Sequence, residues 1–140
     1  MLVEAKAHVN ELSPEGKLSV GHPANHERIQ RSIMEANDGF SESLPGWALS
    51  RDVSYQLANR FAWSWKLASM GVPVVLVYLG FLGAREMRDR GRLHVDASSW
   101  DWLVKAHARP HVPESGWGQR IAVGSASVTP LIRSMPAATI

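Results

Sequence analysis

The stretch that most constrains the fold of this chain runs from Tyr55 to Leu82. Its second half, Val72 to Leu82, is an almost unbroken run of apolar residues that is rich in Val. A continuous apolar run of this kind is typical of a strand buried on both faces, as in parallel sheets covered by helices. The first half carries apolar residues three and four positions apart, which predicts a helix. A helix that leads into a buried strand predicts an α/β fold.

The residues around this helix and strand match the ends that the pattern predicts. Ser54 is a residue type that caps helices with its hydroxyl, and Gly71 is suited to end one. Pro73 stands where the strand begins, which is the place in a buried strand where a missing N–H does least harm. The helix is therefore expected to start after Ser54 and the strand to follow Gly71 closely.

A membrane-spanning helix is the alternative for the same stretch, since about 20 apolar residues cross a bilayer. Arg60 and Lys66 lie in the helical half, and Pro73 breaks the apolar run into pieces too short to cross. The buried strand is therefore the preferred prediction, and no membrane partner is expected. No charged-then-apolar leader opens the sequence, so the predicted location is cytoplasmic.

Composition bounds the class of protein and the kinds of site. A chain of 140 residues with 45% hydrophobic and 20% charged residues is expected to form a single domain with a real core. Because it has no Cys, disulfides and thiolate metal sites are excluded. Eleven of its fifteen Lys and Arg residues are Arg, which suits bidentate contact with phosphate or carboxylate.

The first ten residues alternate between apolar and polar side chains, which predicts a strand from Leu2 to Val9. The alternation places Val3 and Ala5 on one face, expected to pack on the core, and Glu4, Lys6 and His8 on the opposite face. The remaining elements predicted from pattern and turn residues are a helix over 26–37 capped by Asn25, a short helix over 100–108 capped by Ser98 or Ser99, short strands over 120–123 and 128–132, and a frayed end over 136–140.

Glu4 and Lys6 form the sharpest chemical signal in the sequence. Two residues apart on a strand, their side chains share a face at a spacing of about 7 Å. A carboxylate there can hold a hard divalent cation while the ammonium lies beside the metal's water or a phosphate. The alternative is an amphipathic strand with a charged outer face, and the three residues alone leave both open.

The order of these elements resembles the PD-(D/E)XK, or restriction-endonuclease-like, nuclease superfamily. That family has an α-β-β-β-α-β core with the (D/E)-x-K motif on its third strand. Here residues 2–9 match the motif strand, residues 55–70 the following helix and residues 72–82 the last core strand. The resemblance spans residues 1 to about 110, and implies an α/β partial restriction-endonuclease-like core: a short mixed sheet flanked by helices. Residues 111–140 are expected to be an irregular C-terminal extension.

The resemblance implies metal-dependent hydrolysis of phosphodiester bonds in nucleic acid. Glu4 would be a ligand of Mg²⁺, Lys6 would orient the attacking water, and Gln56 would add a polar contact from the helix. The chain departs from the family because the Asp of the preceding strand, the first helix and the first two strands have no counterpart. Glu11, His8 or a second chain would have to complete the site. The alternative is a catalytically incomplete remnant that acts as a binding or assembly module.

Four arginines follow the apolar strand and are predicted to contact nucleic acid. They lie just past its carboxyl end, the edge of the sheet where α/β proteins tend to bind ligands, and guanidinium groups suit phosphate backbones. A solvated connection is the alternative. The four residues are Arg85, Arg88, Arg90 and Arg92.

Partners are expected because a sheet of two well-supported strands is marginal by itself. Its open edges present unpaired N–H and C=O groups to another chain. The sequence therefore predicts a homodimer, or a companion chain that completes the sheet.

Overall fold

The structure is a computed structural model that describes residues 1–18 and 22–138. It confirms the α/β class, with a mixed sheet and helices in one domain-sized unit. In chain order the elements are β1 (Leu2–Lys6), α1 (Pro23–Ser41), α2 (Tyr55–Ser69), β2 (Val74–Leu82), α3 (Ala97–Ala108), β3 (Ile121–Val123) and β4 (Ala126–Pro136), with short 3₁₀ helices at Val9–Glu11, Arg85–Arg90 and Glu114–Gly116.

The sheet has four strands in the order β1-β2-β4-β3, so β2 and β4 are its central strands. β1 and β4 both run parallel to β2, and β3 is antiparallel to β4. The register places Glu4 opposite Tyr78 and Lys6 opposite Gly80. The described part of the predicted irregular extension, residues 111–138, instead contains β3 and β4, and β4 pairs with β2 along the whole of β2. The sheet is also larger than the two strands on which the expectation of an open-edged dimer was based.

All three helices lie against one face of the sheet, here called the inner face. Phe61 of α2 stacks on Tyr78, and Trp100 of α3 lies over Gly80 and donates from Nε1 to the Tyr78 carbonyl at 3.3 Å. α1 packs on α2, with Phe40 edge-on to Phe61. The chain order explains this arrangement, because β1, β2 and β4 step across the sheet in one direction. Right-handed crossovers that step the same way place their helices on the same face.

The prediction that the Val-rich strand is buried on both faces is wrong. The inward side chains of β2, including Val74, Leu76 and Tyr78, are at most 4% exposed. The alternate side chains point away from the helices, and Val75 is 39% exposed. No helix among residues 1–18 and 22–138 covers that second face, here called the outer face. Its side chains are Val3 and Ala5 of β1, Val75, Val77, Leu79 and Phe81 of β2, Ala122 of β3, and Ser127, Thr129, Leu131, Arg133 and Met135 of β4. Arg120 joins them, because its Nε donates to Ser127 Oγ at 3.1 Å.

The expected orientation of β1 is also reversed. Glu4, Lys6 and His8 are each 8% exposed and face the helices, whereas Val3 is 45% exposed on the outer face. Period-two alternation separates the two faces of a strand but does not say which face the helices cover. Here α2 presents polar side chains to the edge of the sheet, so the charged face of β1 becomes the buried one.

The ends of the helices differ from the predicted ends in detail. α1 begins at Pro23 and runs to Ser41, beyond both predicted limits. Ser54 precedes α2 as predicted, but it adopts a left-handed backbone at φ 51° and its hydroxyl caps nothing. Asp96, rather than Ser98 or Ser99, caps α3 by accepting from the Ser99 amide at 2.8 Å.

Two remaining predictions concern membranes and the end of the chain. Across the described ranges, no helix combines the length and the apolar character that crossing a bilayer requires. Pro136 ends β4, and the Ala137 amide donates to the Leu82 carbonyl at 2.8 Å, so the frayed end does not begin at 136. Residues 139 and 140 lie outside the described residues.

Candidate functional site

The inner face of β1 and the first two turns of α2 bring four polar side chains together. Glu4 and Lys6 come from β1, and Gln56 and Arg60 come from α2. Residues four apart on a helix share a face, so Gln56 and Arg60 reach the same strand. These four residues are called the Glu4 cluster below.

The Glu4 cluster is a closed network of hydrogen-bonded charges. The Glu4 Oε1 atom lies 2.7 Å from Lys6 Nζ, and its Oε2 atom accepts a hydrogen bond from Arg60 Nε. Lys6 Nζ also donates to Gln56 Oε1 at 3.1 Å. The side chains of Glu4 and Lys6 are 11% and 10% exposed, while that of Arg60 is 41% exposed. Two cations therefore contact one buried carboxylate, so the cluster has a net positive charge. Arg60, the more exposed of the two cations, lies partly in solvent.

The ionisation of Glu4 follows from these contacts. Burial opposes its negative charge, but hydrogen bonds and charges from Lys6 and Arg60 outweigh that cost and hold the pKa of Glu4 below its ordinary value. The neighbouring Tyr78 hydroxyl has no hydrogen-bond partner among the described residues. Burial, reinforced by the charge of Glu4, raises the pKa of Tyr78, so this phenol stays protonated.

A small cavity of about 10 Å³ adjoins the Glu4 cluster, which is room for roughly one water molecule. Glu11, Tyr78 and His107 share its lining with Glu4 and Lys6. Glu11 comes from the 3₁₀ helix after β1, and its Oε2 atom accepts from the Ala7 and His8 amides at 2.5 and 3.0 Å. Burial opposes ionisation of Glu11, but these two amides hold its pKa below the ordinary value.

The donor set does not fit a Mg²⁺ ion in this arrangement. Magnesium needs open carboxylate oxygens and room for several of its own waters. Both oxygens of Glu4 are engaged by cations, and one oxygen of Glu11 already serves two amides. Within residues 1–18 and 22–138, no three His, Asp or Glu side chains are grouped as metal ligands would be. A cation would enter only after Arg60 or Lys6 had moved away from Glu4.

Glu4, Lys6 and Gln56, the three residues predicted from the sequence to be catalytic, lie together in the structure. Their catalytic roles stay predictions. Sequence reasoning missed Arg60, which completes the network. The signal available was its position, one helical turn after Gln56 on the same face. Tyr78 and His107 were missed for a different reason, since strand register and the packing of a distant helix bring them to the cavity.

The four arginines predicted to bind nucleic acid are exposed and lie near the carboxyl end of β1. The 3₁₀ helix Arg85–Arg90 is fixed there by Asn10, whose Nδ2 donates to the Arg90 carbonyl at 3.1 Å. The Val9 amide donates to the Arg92 carbonyl at 2.9 Å. In the described part of the chain, none of the four guanidinium groups forms an ion pair with a carboxylate. They remain available for phosphate, although Glu86 and Asp89 among them halve the local charge.

Comparison with known proteins adds no assignment. No protein-family model, curated protein or solved structure matches this chain. The resemblance to the PD-(D/E)XK superfamily therefore stays a prediction that depends on the sequence motif and the order of the elements.

Proposed function

We propose that this chain is a binding and assembly module that joins another polypeptide through its sheet, and that the Glu4 cluster has a structural role. The observation that carries the proposal is the engagement of both Glu4 oxygens by Lys6 and Arg60. A catalytic carboxylate that recruits a metal needs at least one open oxygen. A carboxylate closed in this way instead fixes α2 against β1.

The sheet supplies the surfaces for the proposed partner. β1 pairs on one side only among the described residues, so its other edge presents free backbone groups for an added strand. The outer face adds apolar side chains that no described helix covers. Both features are those of a surface that another chain completes.

Metal-dependent phosphodiester hydrolysis is the second candidate function. The observation in its favour is the convergence of Glu4, Lys6 and Gln56 on one cavity, which Glu11 also lines. The exposed arginines near the same end of β1 would suit a nucleic-acid backbone. This candidate requires Arg60 to swing out, so that Glu4 and Glu11 become available to a cation together with a substrate phosphate.

Plasmid nicking in the presence of Mg²⁺ or Mn²⁺ discriminates between the two candidates. The wild-type protein is compared with Glu4→Ala and Lys6→Ala, and with Glu35→Ala as a matched control at an exposed helical glutamate. The assembly proposal predicts the same background nicking in all four proteins. Nicking by the wild type and the control that is lost in both Glu4→Ala and Lys6→Ala would overturn it in favour of hydrolysis.

A further inference from the structure

A groove lies between residues 92–95 and the first two turns of α3, and is called the α3 groove below. We infer that the α3 groove binds a small, flat aromatic molecule that carries one carboxylate. The inference goes beyond the proposed assembly function, because the ligand is a small molecule rather than a polypeptide.

The walls of the α3 groove are fixed by the fold. Its volume is about 540 Å³, and sites for small molecules usually measure roughly 300–1,000 Å³. One wall is residues 92–95, where the Gly83 amide donates to the His94 carbonyl and the Val9 amide donates to the Arg92 carbonyl, both at 2.9 Å. The other wall is α3, on which Ser98 and Trp102 are four residues apart and share a face. The groove is therefore formed before a ligand enters it.

His94 is the most specific sign that the α3 groove has a ligand. It lines the groove and is only 1% exposed, so it belongs to the buried floor. Its ring packs on Trp100 with the centroids 4.5 Å apart, and neither ring nitrogen has a hydrogen-bond partner among the described residues. Burial lowers the pKa of His94, so at pH 7 the neutral ring offers one N–H donor and one acceptor. Because buried polar groups are nearly always paired, these two nitrogens indicate that a molecule in the groove supplies a partner.

The charge of the α3 groove selects a carboxylate. Among the described residues that line it, Arg92 alone is charged at pH 7, and Arg92 forms no ion pair within the described chain. Asp96 is close in sequence, but it accepts from the Ser99 amide and hydroxyl at 2.8 and 3.2 Å and is thus engaged by α3. A guanidinium binds a carboxylate through two parallel hydrogen bonds. A phosphate monoester carries nearly two negative charges, of which one Arg would balance only one.

The apolar part of the α3 groove selects an aromatic ring. Trp102 and Val95 are 64% and 78% exposed at its rim, and Leu103 lies beside them in the lining. Exposed apolar side chains around a cavity favour an apolar occupant, and an indole ring stacks well on another flat aromatic ring. A ligand with its ring on Trp102 therefore directs its carboxylate to Arg92 and to the N–H of His94.

An NMR titration of the full chain tests the inference. Naphthoate is the probe, and naphthalenemethanol is its uncharged counterpart. We expect saturable binding of naphthoate at millimolar concentration or below, with a shift of the His94 ring ¹⁵N resonances that follows the same binding curve. Naphthalenemethanol should bind more weakly, because it cannot pair with the guanidinium. This measurement needs no variant and so does not depend on the folding of one.

Two variants with matched controls locate the bound probe. Arg92→Gln should weaken naphthoate at least about 10-fold, the size expected for a hydrogen bond to a charged group, and leave naphthalenemethanol nearly unchanged. Arg109→Gln is its control at an exposed Arg just past α3. Trp102→Ala should weaken both probes, whereas Trp63→Ala, at a Trp that is 58% exposed on α2, should weaken neither. Circular dichroism checks that each variant is folded.

The contrary outcomes are equally distinct. A lack of saturable naphthoate binding would overturn the inference, as would binding that Arg92→Gln and Trp102→Ala leave unchanged. Binding that leaves the His94 nitrogens unshifted would also overturn it, because water would then be their partner. None of these outcomes bears on the assembly proposal, which the nicking assay tests independently.

Discussion

Removing the charge of Glu4 should destabilise the fold strongly, because its partners are buried with it. In Glu4→Gln the amide oxygen can accept from Lys6 or from Arg60 but cannot serve both as the carboxylate does, and no negative charge remains beside Lys6, whose side chain is 10% exposed. Breaking a buried ion pair by removing one partner costs about 3–5 kcal/mol. We expect about 3 kcal/mol, at the low end of that range, because Arg60 is partly exposed and can turn to solvent.

The double variant Glu4→Gln, Lys6→Met sharpens this prediction. Removing the unpaired ammonium as well should leave the protein no less stable than Glu4→Gln alone, since replacing both partners of a buried pair is often neutral or stabilising. The matched control is the exposed pair Asp101–Lys105, at 2.8 Å on α3, where Asp101→Asn should cost about 0.5 kcal/mol or less.

Urea denaturation at pH 7 measures the free energy of unfolding of the wild type, Glu4→Gln, the double variant and Asp101→Asn. A loss of stability in Glu4→Gln no larger than that in Asp101→Asn would contradict a stabilising buried ion pair at Glu4. That result would mean that water or a mobile Arg60 already solvates the Glu4 cluster, which is what an open catalytic site would require.

Two further predictions concern acid stability and nucleic acid. His94 packs on Trp100 and is 1% exposed, and burial lowers the pKa of His94. The free energy of unfolding should therefore be highest above the ordinary histidine pKa and fall as the pH drops below that value, because the unfolded chain then binds a proton that the folded chain does not. In His94→Phe the urea midpoint should fall less between pH 7 and pH 5.5 than in the wild type, and an equal fall in both proteins would contradict the prediction. Replacing the four arginines of residues 85–92 with Ala should weaken binding of a fluorescent DNA duplex and lower the slope of log affinity against log salt by up to about 4, whereas an unchanged slope would mean that they do not contact phosphate.

The sequence was most informative where local pattern decides the structure. The bounds predicted for α2 and β2 agree with the structure within two residues, because helical periodicity, Gly71 and Pro73 act locally. β4 runs from Ala126 to Pro136, beyond the predicted 128–132, although Pro130 in its middle is a residue type that central strands disfavour. The Pro130 carbonyl accepts from the Gly118 amide at 2.8 Å, so the missing N–H faces the side away from β2, beyond the end of β3.

The orientation of β1 and the membership of the Glu4 cluster depended on tertiary structure. Alternation in the first ten residues is equally compatible with either face of β1 pointing inward. Which face the helices cover depends on the direction in which successive strands step across the sheet, because the crossovers are right-handed. That choice buries Glu4 and Lys6 and exposes Val3. Arg60 then joins them because Gln56, one turn earlier on α2, already faces β1. Neither step can be worked out from the spacing of Glu4 and Lys6 alone.

The structural role proposed for Glu4 requires that Lys6 and Arg60 close its carboxylate to metal ions. A direct test follows the side-chain carboxyl carbon of Glu4 by ¹³C NMR while Mg²⁺ is added to millimolar concentration. We predict that the resonance does not move and that its titration midpoint stays below the ordinary pKa of a glutamate, as its two cationic partners require. A saturable shift of that resonance on addition of Mg²⁺ would show that the carboxylate is a metal ligand and would contradict the structural role.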